Sequence, residues 1–308
     1  MNRQEIADLV KSMNVDTATG EVNPRVQEVV VRLLTDLCVA IDELKITQTE
    51  LWKGMEYISD LGQANEVGLL VAGLGLEHFM DIQADEADKA AGVDLSGATP
   101  RTIEGPLYVA GAPESVGFAR MDDGTEADEL DTLIIEGVVT DVAGNILPNA
   151  KVEIWHANGK GNYSFFDKSQ SDFNLRRTIY TDDNGRYVAR TTMPVGYGCP
   201  PDGPTQGLLN LLGRHGNRPS HVHYFISAEG HRKLTTQFNI EGDKYLWDDF
   251  AFATRDGLVA TAVDKSDAES MAKYGLDKPF KHITFDFKLI KDSSDAPSTE
   301  VDRRRANA

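Results

Sequence analysis

Cysteine is scarce in this chain: Cys38 and Cys199 are the only two among 308 residues. Two cysteines cannot build a disulfide framework or a cysteine-rich metal site, and such low usage is typical of a reducing compartment. No apolar run approaches the roughly 20 residues that a membrane helix needs. The first residues, MNRQEIADLVKSMNVD, are charged throughout and contain no apolar signal core. The sequence therefore predicts a soluble cytoplasmic protein, and any metal must be bound by His, Tyr, Asp or Glu.

Positive charge is also in short supply. The 31 Lys and Arg residues are outnumbered by 49 Asp and Glu residues, which gives a net charge of −18 at pH 7. Nucleic acids and anionic membranes attract basic surfaces, so this balance argues against both as partners. A chain of this length can bury a sizeable core, and we expect one or two domains.

The first hundred residues have helical patterns. From Pro24 onward, apolar residues recur at the i, i+3, i+4, i+7 spacing of an amphipathic helix. They are Val26, Val29, Val30, Leu33, Leu34, Leu37, Ile41 and Leu44. Asn23 before Pro24 is a good N-cap and first-turn pair, and Thr47 with Glu50 has the spacing of a capping box for the next helix. A third stretch, VGLLVAGLGLEHFMD, is predicted to be helical, although its glycines weaken the pattern.

The pattern changes near residue 101. RTIEGPLYVAGAP is predicted to be an extended linker, and DDGTEADELD a solvated acidic loop. LIIEGVVTDVAGNILPNAKVEIWHA is predicted to form a hairpin or meander that turns at Gly144 and Asn145, and TDDNGRYVART contains a second Asn-Gly turn. In HITFDFKLI, apolar residues alternate on one strand face. We therefore predict a mainly β fold: an antiparallel β-sandwich domain, residues 106–308, after a helical N-terminal domain, residues 1–105.

The segment RPSHVHY, residues 218–224, places two histidines one residue apart in a predicted strand. Successive strand side chains point to opposite faces, so His221 and His223 point the same way and could bind one metal ion. They could also be ordinary histidines on a hydrated strand face. Two tyrosines in glycine-flanked loops, Tyr163 in GKGNYSFFD and Tyr197 in GYGCPPDGPT, favour the metal, because loops often display functional groups.

Two tyrosines and two histidines suit one ion in particular. A phenolate is a hard anionic oxygen donor with an unperturbed pKa of about 10, so only a strong Lewis acid keeps it ionised at neutral pH. Ferric iron can do so, whereas zinc prefers Cys, His and carboxylate. Two phenolates and a hydroxide would also cancel the ferric charge and leave a neutral site, which a low-dielectric pocket tolerates.

Four stretches of the chain resemble the intradiol ring-cleaving dioxygenases, most of all the bacterial catechol 1,2-dioxygenases. They are TIEGPLYVAGAP, VEIWHANGKGNYSFFD, MPVGYGCPPDGPTQGLLNLLGRHGNRPSHVHYFISAEGHRKLTTQ and DDFAFATRDGL. The resemblance runs from the N-terminal helices to the last strand. Where this chain has Ser220, Val222 and Tyr224, the family commonly has alanine, isoleucine and phenylalanine, which are mild changes between the ligand positions.

The resemblance implies an iron site and a reaction. Tyr163, Tyr197, His221 and His223 would bind one Fe(III) per subunit, and Tyr197 would be the axial tyrosine that leaves the iron when substrate binds. Catechol would bind through both oxygens and be cleaved by dioxygen to cis,cis-muconate, a step of aromatic compound degradation in the beta-ketoadipate pathway. The departing phenolate and the hydroxide would take the substrate protons.

The resemblance also assigns polar helpers and a substrate slot. Arg218 would stabilise carbanion character on the ring, or it could be an ordinary arginine paired with an acid. Gln237 would orient a ligand or an oxygen intermediate, or it could be a polar strand residue facing water. Five residues would form a flat apolar slot for the catechol ring. Alternatively, they could be ordinary core residues. These are Ile103, Pro106, Leu107, Phe250 and Ala251.

The N-terminal helices carry more apolar surface than one small bundle needs, and family resemblance implies a homodimer through these helices with a possible bound phospholipid. Three alternatives remain at this point. One is another intradiol enzyme, acting on hydroxyquinol or chlorocatechol. The second is a zinc or other metal hydrolase that uses His221 and His223 with a carboxylate. The third is a transthyretin-like β-sandwich that binds small aromatic molecules without metal.

Overall fold

The chain is described by a computed structural model. It covers residues 1–13, 21–126, 129–292, 298, 301–303 and 305–307. Contacts between residues divide the chain into two compact units, Met1–Ala64 and Asn65–Ala308. The domain boundary that we predicted between residues 105 and 106 was based on the change from helical to strand patterns. It differs from the division by contacts and stays a prediction. No helix in the described parts of the chain is both long and apolar enough to cross a membrane.

The first unit is helical. Its helices are α1 (Arg3–Met13), α2 (Pro24–Leu44) and α3 (Gln48–Ala64). The predicted start of α2 is confirmed, because the Asn23 side chain accepts hydrogen bonds from two backbone N–H groups of the first turn. The predicted capping box is also confirmed: the backbone N–H of Thr47 donates to the Glu50 carboxylate over 2.8 Å, and the Glu50 N–H donates to the Thr47 hydroxyl over 3.2 Å.

The core of the first unit is small. Ile6, Val10 and Val39 form its cluster of buried apolar residues. Most of the apolar residues of α2 remain exposed, and Leu33, at 63% exposure, is an example. An apolar helix face of this size is more than the unit itself can cover.

The second unit contains four helices in its described residues. They are α4 (Val67–Gly73), α5 (Leu76–Ala90), α6 (Pro204–Leu211) and α7 (Ala268–Lys273). The prediction that VGLLVAGLGLEHFMD is helical is confirmed, and the stretch is divided between two helices, since α4 ends and α5 begins within it. Gly75 separates the two helices with a φ of +73°, and a Cβ there would lie 3.2 Å from the ring of Phe252. Glycine allows both the left-handed backbone and the close contact.

The strands of the second unit follow in chain order. They are β1 (Val109–Ala110), β2 (Glu114–Val116), β3 (Phe118–Arg120), β4 (Thr132–Asp141), β5 (Lys151–Trp155), β6 (Arg176–Tyr180), β7 (Arg186–Thr192), β8 (Tyr197–Gly198), β9 (Asn217–Arg218), β10 (His221–Ser227), β11 (Leu234–Ile240), β12 (Val259–Ala260), β13 (Val263–Lys265), β14 (Phe280–Thr284), β15 (Phe287–Leu289) and β16 (Ala306–Asn307).

Two mixed sheets form the body of this unit. One has the order β12-β11-β10-β5-β6-β2, and the other has the order β13-β14-β4-β7-β3 with β15 also paired to β4. The long central pairs are antiparallel, including β10 with β5 and β11, and β4 with β7. Shorter strands such as β2, β3 and β12 pair parallel. The predicted mainly β fold with an N-terminal helical part is confirmed.

The core lies between these two sheets, as in a β-sandwich. Both sheets contribute alternate residues to it. On β10 the core residues are Val222, Tyr224 and Ile226, all fully buried. The intervening residues, His221, His223 and Phe225, therefore point to the outer face of the same sheet.

The predicted hairpin through residues 133–157 was wrong. The turn forms, since the Asp141 N–H donates to the Asn145 carbonyl over 2.9 Å. However, β4 and β5 then join different sheets, because burial of both strands in the sandwich outweighs their local pairing. The second Asn-Gly turn is present, with Gly185 N–H bonded to the Asp182 carbonyl over 2.9 Å.

Two further sequence patterns can be compared with the structure. In HITFDFKLI, the alternating residues Ile283, Phe287 and Leu289 are buried and Phe285 packs against the same core, although the strand is interrupted between β14 and β15. The described part of the predicted acidic loop DDGTEADELD contains no helix or strand, and its residues 127 and 128 lie outside the described residues.

Candidate active site

Four predicted ligands lie together on the outer face of the β10 sheet. The hydroxyl oxygen of Tyr163 lies 3.3 Å from that of Tyr197 and 3.3 Å from Nε2 of His221. Nε2 of His221 lies 3.5 Å from the Tyr197 oxygen and 3.1 Å from Nε2 of His223. Two oxygens and two nitrogens therefore converge on one small volume.

Local structure explains how each of these side chains reaches the cluster. Both histidines come from β10, where the two-residue spacing places them on the same face. Tyr163 lies in the loop after β5. Tyr197 opens the short strand β8, whose antiparallel partner is Arg218 of β9. The loops thus cover a strand face that would otherwise be open to solvent.

Gly161 lets the two tyrosine loops approach each other. Its φ is +79°, and a Cβ at this position would lie 2.5 Å from Cβ of Tyr197. No other residue type fits this backbone and this space without displacement. The sequence showed the glycine-flanked loops but not the contact between them.

Burial and hydrogen bonding set the protonation of the histidines. His221 Nδ1 lies 2.6 Å from the carbonyl of Pro219, which can only accept, so Nδ1 carries the proton and Nε2 offers its lone pair to the cluster. Burial, followed by the nearby charge of Arg218, holds the pKa of His221 well below its usual value. Burial, with His221 and Arg218, does the same to the pKa of His223. Both imidazole rings are therefore uncharged, as is required of a histidine that binds a metal ion through a nitrogen lone pair.

Burial acts in the opposite direction on the phenol. The pKa of Tyr163 is raised well above its usual value by burial and by the neighbouring hydroxyl of Tyr197. A phenolate at this position thus requires a strong compensating positive charge.

Arg218 lies at the edge of the cluster and is held from two sides. Its Nη1 lies 3.0 Å from Nε2 of His221, and its Nη2 donates to the Gln237 side-chain oxygen over 2.8 Å. Nε and Nη2 also form a buried fork with the Asp249 carboxylate, at 3.2 and 3.1 Å. Burial lowers the pKa of Arg218, but Asp249 and the phenols outweigh this and raise it. The arginine is a fixed cation, not a surface residue.

Asp249 is a site residue that the sequence analysis missed. It is buried, and beyond Arg218 it accepts hydrogen bonds from the backbone N–H groups of Ala251 and Ala253, at 3.0 and 3.3 Å. It therefore ties the orientation of Arg218 to the segment that carries the predicted slot residues. The available signal was an aspartate next to Phe250 in DDFAFATRDGL.

The predicted slot residues fall into two apolar groups. Ile103, Phe250 and Ala251 are buried in one cluster, together with Ala72 of α4 and Leu209 of α6. Leu107 instead packs against the cluster of Trp155, Ala157, Tyr163 and Phe225. Pro106 lies against α4, where a Cβ on Gly68 would be 2.7 Å from it. Helices α4 and α6 therefore also contact the residues of the predicted slot, which the sequence did not predict.

A row of four buried residues runs across the sheet beneath the cluster. The strand register aligns Gln237 of β11 with His223 of β10, His223 with Trp155 of β5, and Trp155 with Arg176 of β6. The Trp155 ring stacks on the His223 ring at 5.0 Å with an interplanar angle of 4°. Trp155 and Arg176 were missed because only strand register, a long-range feature, brings them to the site.

The donor set fits a metal ion of the kind predicted. Donors bound to one ion at about 2.0–2.1 Å lie roughly 3 Å apart. The contact between the two phenol oxygens and the three contacts of His221 Nε2 with the other donors are 3.1–3.5 Å long. Within the described parts of the chain, no group of three or more His, Cys, Asp or Glu residues could hold a metal. The side chains that lie against the two histidines and could share a metal with them are the two tyrosines.

Comparison with known families agrees with these observations over nearly the whole chain. A family model described as dioxygenase matches residues 103–291, and one described as catechol dioxygenase N terminus matches residues 23–92. A catechol 1,2-dioxygenase from Acinetobacter guillouiae is 72% identical over 297 residues, which are 96% of this chain and 97% of the relative. A hydroxyquinol 1,2-dioxygenase from a Rhizobium species (strain MTP-10005) is 31% identical over 277 residues, 87% of this chain and 90% of that protein.

Solved structures give the same result. The crystal structure of wild-type catechol 1,2-dioxygenase from Acinetobacter radioresistens superimposes with a TM-score of 0.97 at 73% sequence identity, covering 100% of this chain and 99% of that one. Family matches to both parts of the chain, together with the fold and the tyrosine–histidine cluster, lead to one conclusion. The chain belongs to the intradiol ring-cleaving dioxygenases, a family of non-haem iron enzymes, and within it to the catechol dioxygenase group.

Proposed function

We propose that this protein cleaves catechol between its two hydroxyl-bearing carbons, with dioxygen as co-substrate, and releases cis,cis-muconate. The observation that carries the proposal is the convergence of two phenol oxygens and one imidazole nitrogen on Nε2 of His221, at 3.1–3.5 Å, with the two phenol oxygens 3.3 Å apart. The reaction would serve aromatic compound degradation in the beta-ketoadipate pathway.

The four donors would hold one ferric ion per subunit, bound by Tyr163, Tyr197, His221 and His223. When bound, this ion supplies Lewis acidity that ionises the diol and makes its ring reactive towards dioxygen. The histidines are suited to this role because burial keeps them neutral. The tyrosines would supply the negative charge that a ferric ion requires in a buried site.

Tyr197 is the donor best placed to leave. It is partly exposed, whereas Tyr163 and the two histidines are buried. It lies in the two-residue strand β8, between Gly196 and Gly198. Its phenolate oxygen would accept one of the two hydroxyl protons of catechol.

Arg218 would stabilise the negative charge that develops on the ring. Its guanidinium is buried, charged and fixed by Gln237 and Asp249 before the substrate arrives. Such a preorganised cation stabilises a developing anion without reorganising. Gln237 acts here by holding Arg218, and its register opposite His223 supports the predicted role of orienting a ligand.

The apolar slot would select the ring. Ile103, Pro106, Leu107, Phe250 and Ala251 would contact the carbon edge of catechol, with the small Ala251 leaving space at one position. Hydroxyquinol and chlorocatechol remain the alternative substrates. The 72% identity to a catechol enzyme, against 31% to a hydroxyquinol enzyme, favours catechol. Family membership leaves the metal hydrolase and the metal-free binding protein without support.

We also propose a homodimer formed through the N-terminal helices, with a phospholipid as a possible additional ligand of their apolar face. The exposed apolar residues of α2 support this proposal. A cytoplasmic location is supported by the two free cysteines and the acidic composition.

Product analysis in labelled oxygen tests the proposed reaction. Purified protein loaded with iron is mixed with catechol under ¹⁸O₂, and the product is identified by mass spectrometry. We expect cis,cis-muconate that contains both labelled atoms, and slower conversion of hydroxyquinol and 3-chlorocatechol. A product cleaved beside the diol, or a faster reaction with either alternative substrate, would contradict the proposal.

A further inference from the structure

Arg176 is a buried arginine whose hydrogen bonds to the described residues include none to a carboxylate. It is only 1% exposed, and its Nη1 has no hydrogen-bond partner among the described residues. Its hydrogen bonds go to Ser164, from Nε to the hydroxyl over 2.9 Å and from Nη2 to the backbone carbonyl over 3.0 Å. Both acceptors are neutral, so the guanidinium charge is not offset by them.

The guanidinium faces a predicted iron ligand. Cζ of Arg176 lies 5.7 Å from the centre of the Tyr163 ring, within the range of a cation–π contact. Ser164, which the same guanidinium holds, is the residue directly after Tyr163. Arg176 therefore contacts both the ring of this tyrosine and the backbone that carries it.

The position of Arg176 follows from the sheet. It is directly opposite Trp155, which is opposite His223, so all three side chains lie on the outer face beneath the cluster. The next residue, Arg177, points to the opposite face and donates to the backbone carbonyls of Phe173 and Arg176. Two adjacent arginines thus have different environments, and only Arg176 belongs to the site.

A buried cation needs a negative charge nearby, and the free energy cost of burial is high without one. Two phenols, those of Tyr163 and Tyr108, would interact favourably with the Arg176 charge if they lost their protons. Tyr108 donates to the Glu153 carboxylate over 2.5 Å and so keeps its proton. Tyr163 is the one whose proton iron would displace.

We propose that Arg176 is a positioning residue that fixes Tyr163 and offsets its negative charge when it binds iron as a phenolate. This inference rests on the proposed function, because it requires the iron ligand role of Tyr163. It predicts that the charge of Arg176 strengthens iron retention and lowers the electron density on this one phenolate.

Neutral variants test the role of the charge. Arg176→Met replaces the guanidinium with an apolar chain of similar length, and Arg176→Gln is neutral but can keep a hydrogen bond to Ser164. We expect both to lose iron to a chelator roughly tenfold faster than wild type, as for loss of one desolvated charge contact. The visible tyrosinate-to-iron band should move to longer wavelength, because a phenolate without a neighbouring cation is a better electron donor.

Thermal unfolding adds a measurement that does not depend on activity. Iron stabilises the folded protein by binding to it, so weaker binding reduces the gain in Tm on iron loading. We expect a smaller gain for both neutral variants than for wild type. A residue with only a structural role would lower Tm equally with and without iron.

Two controls separate charge from fold. Arg177→Met makes the same change on the opposite face of β6 and should leave the band and iron retention as in wild type. Arg176→Lys keeps a positive charge and should keep the band near its wild-type position. The inference is overturned if Arg176→Lys shifts the band as far as Arg176→Met, or if both neutral variants match wild type in band and iron retention.

Failure of this inference is distinguishable from failure of the proposed function. If iron-loaded wild type has no tyrosinate band, the ligand assignment itself is wrong. If wild type has the band and the neutral variants do not change it, only the role of Arg176 is wrong.

Discussion

At the scale of single residues, the site depends on buried charges that are held by other buried groups. Arg218 is the clearest case, because its guanidinium is fixed by the Asp249 fork and by Gln237. A cation that must meet charge on the substrate ring gains from being oriented in advance. The Asp249 carboxylate therefore fixes the orientation of the Arg218 guanidinium, while the β9 backbone fixes where the side chain begins.

Asp249→Asn tests this support directly. Asparagine keeps an oxygen for one of the two backbone N–H groups, those of Ala251 and Ala253, which bond to different oxygens of Asp249, and it removes the charge that fixes Arg218. We expect kcat for catechol to fall about 10- to 100-fold with a smaller change in KM, because the proposed role of Arg218 is to stabilise the transition state. Oxygen uptake at several catechol concentrations measures both constants.

The adjacent residue provides the matched control. Asp248 is 79% exposed and pairs with His215 at 3.0 Å. Asp248→Asn should leave kcat within about twofold of wild type, because exposed ion pairs contribute little. Equal losses in the two variants would show that Asp249 has no special link to Arg218.

The structure brings the four predicted ligands and Arg218 together, but some of the residues that hold them were not predicted from the sequence. His221 and His223 were predictable as a pair because two residues along a strand always share a face. Asp249 is 31 residues from Arg218 along the chain, and Arg176 reaches the site across three strands. No local pattern records such contacts, since they follow from register and packing.

At the scale of elements, the tyrosine loops must approach closely to bring their hydroxyls within 3.3 Å. Gly161 makes this possible, and Gly144 offers a matched comparison. Both have positive φ, +79° and +86°, but a Cβ at Gly144 meets no atom within 4 Å. The left-handed backbone would therefore strain an alanine at either position, but only at Gly161 would the added Cβ collide with a neighbouring residue.

Gly161→Ala should disrupt the site, whereas Gly144→Ala should not. We expect Gly161→Ala to reduce iron per chain and weaken the tyrosinate band, because its Cβ would push Tyr197 away. Gly144→Ala should bind iron normally and lose only about 1–2 kcal/mol of stability from the left-handed backbone. Metal analysis and the visible spectrum decide the comparison, and normal iron content in Gly161→Ala would contradict it.

Helix α5 contributes a pH-dependent element of stability. Burial raises the pKa of Asp81 from 3.8 to about 7, against the opposing charges of Arg255 and Arg101, while Glu77 and Asp85 raise it further. Between about pH 4 and 7 the unfolded chain releases the Asp81 proton and the folded chain retains it. This group therefore lowers the stability of the fold as pH rises through that window.

Asp81→Asn removes this pH-dependent term. We expect the Tm of the variant, relative to wild type, to rise from pH 4 to pH 7 and then level off. Glu86→Gln is the control, because Glu86 lies on the same helix but is 67% exposed. A constant difference in Tm between Asp81→Asn and wild type across this range would disprove the account of Asp81.

The elements also show where local sequence patterns stop being informative. Caps such as Asn23 and the Thr47–Glu50 box were predictable because they act within one turn of helix. The pairing of β4 with β5 was predicted wrongly because a turn at Gly144 does not decide which sheet receives the next strand. Around Gly75 the apolar pattern correctly predicted helix, but it did not show where one helix ends and the next begins.

At the scale of the whole molecule, the proposed dimer would cover the apolar face of α2. Val26, Val30, Leu33 and Leu37 lie on one side of this helix at intervals of three and four residues, and all are exposed. A double variant, Leu33→Glu with Leu37→Glu, should convert a dimer into monomers, because two buried charges oppose association. Light scattering after size-exclusion chromatography gives the mass.

A control on the same helix separates dimer contact from helix stability. Arg32 is 70% exposed and pairs with Asp36, so Arg32→Gln should leave the mass unchanged. A double variant that keeps the wild-type mass, or a monomeric wild type, would contradict the proposed interface.

The central claim is that two tyrosines and two histidines bind ferric iron and present it to catechol. The visible spectrum of the iron-loaded protein, recorded without air before and after catechol is added, tests this most directly. We predict a tyrosinate-to-iron band that moves to longer wavelength when catechol is added and bleaches in air as product forms. The substitution Tyr163→Phe should weaken this band. A colourless protein that retains iron would contradict the claim, because the phenol oxygens would then not be ligands.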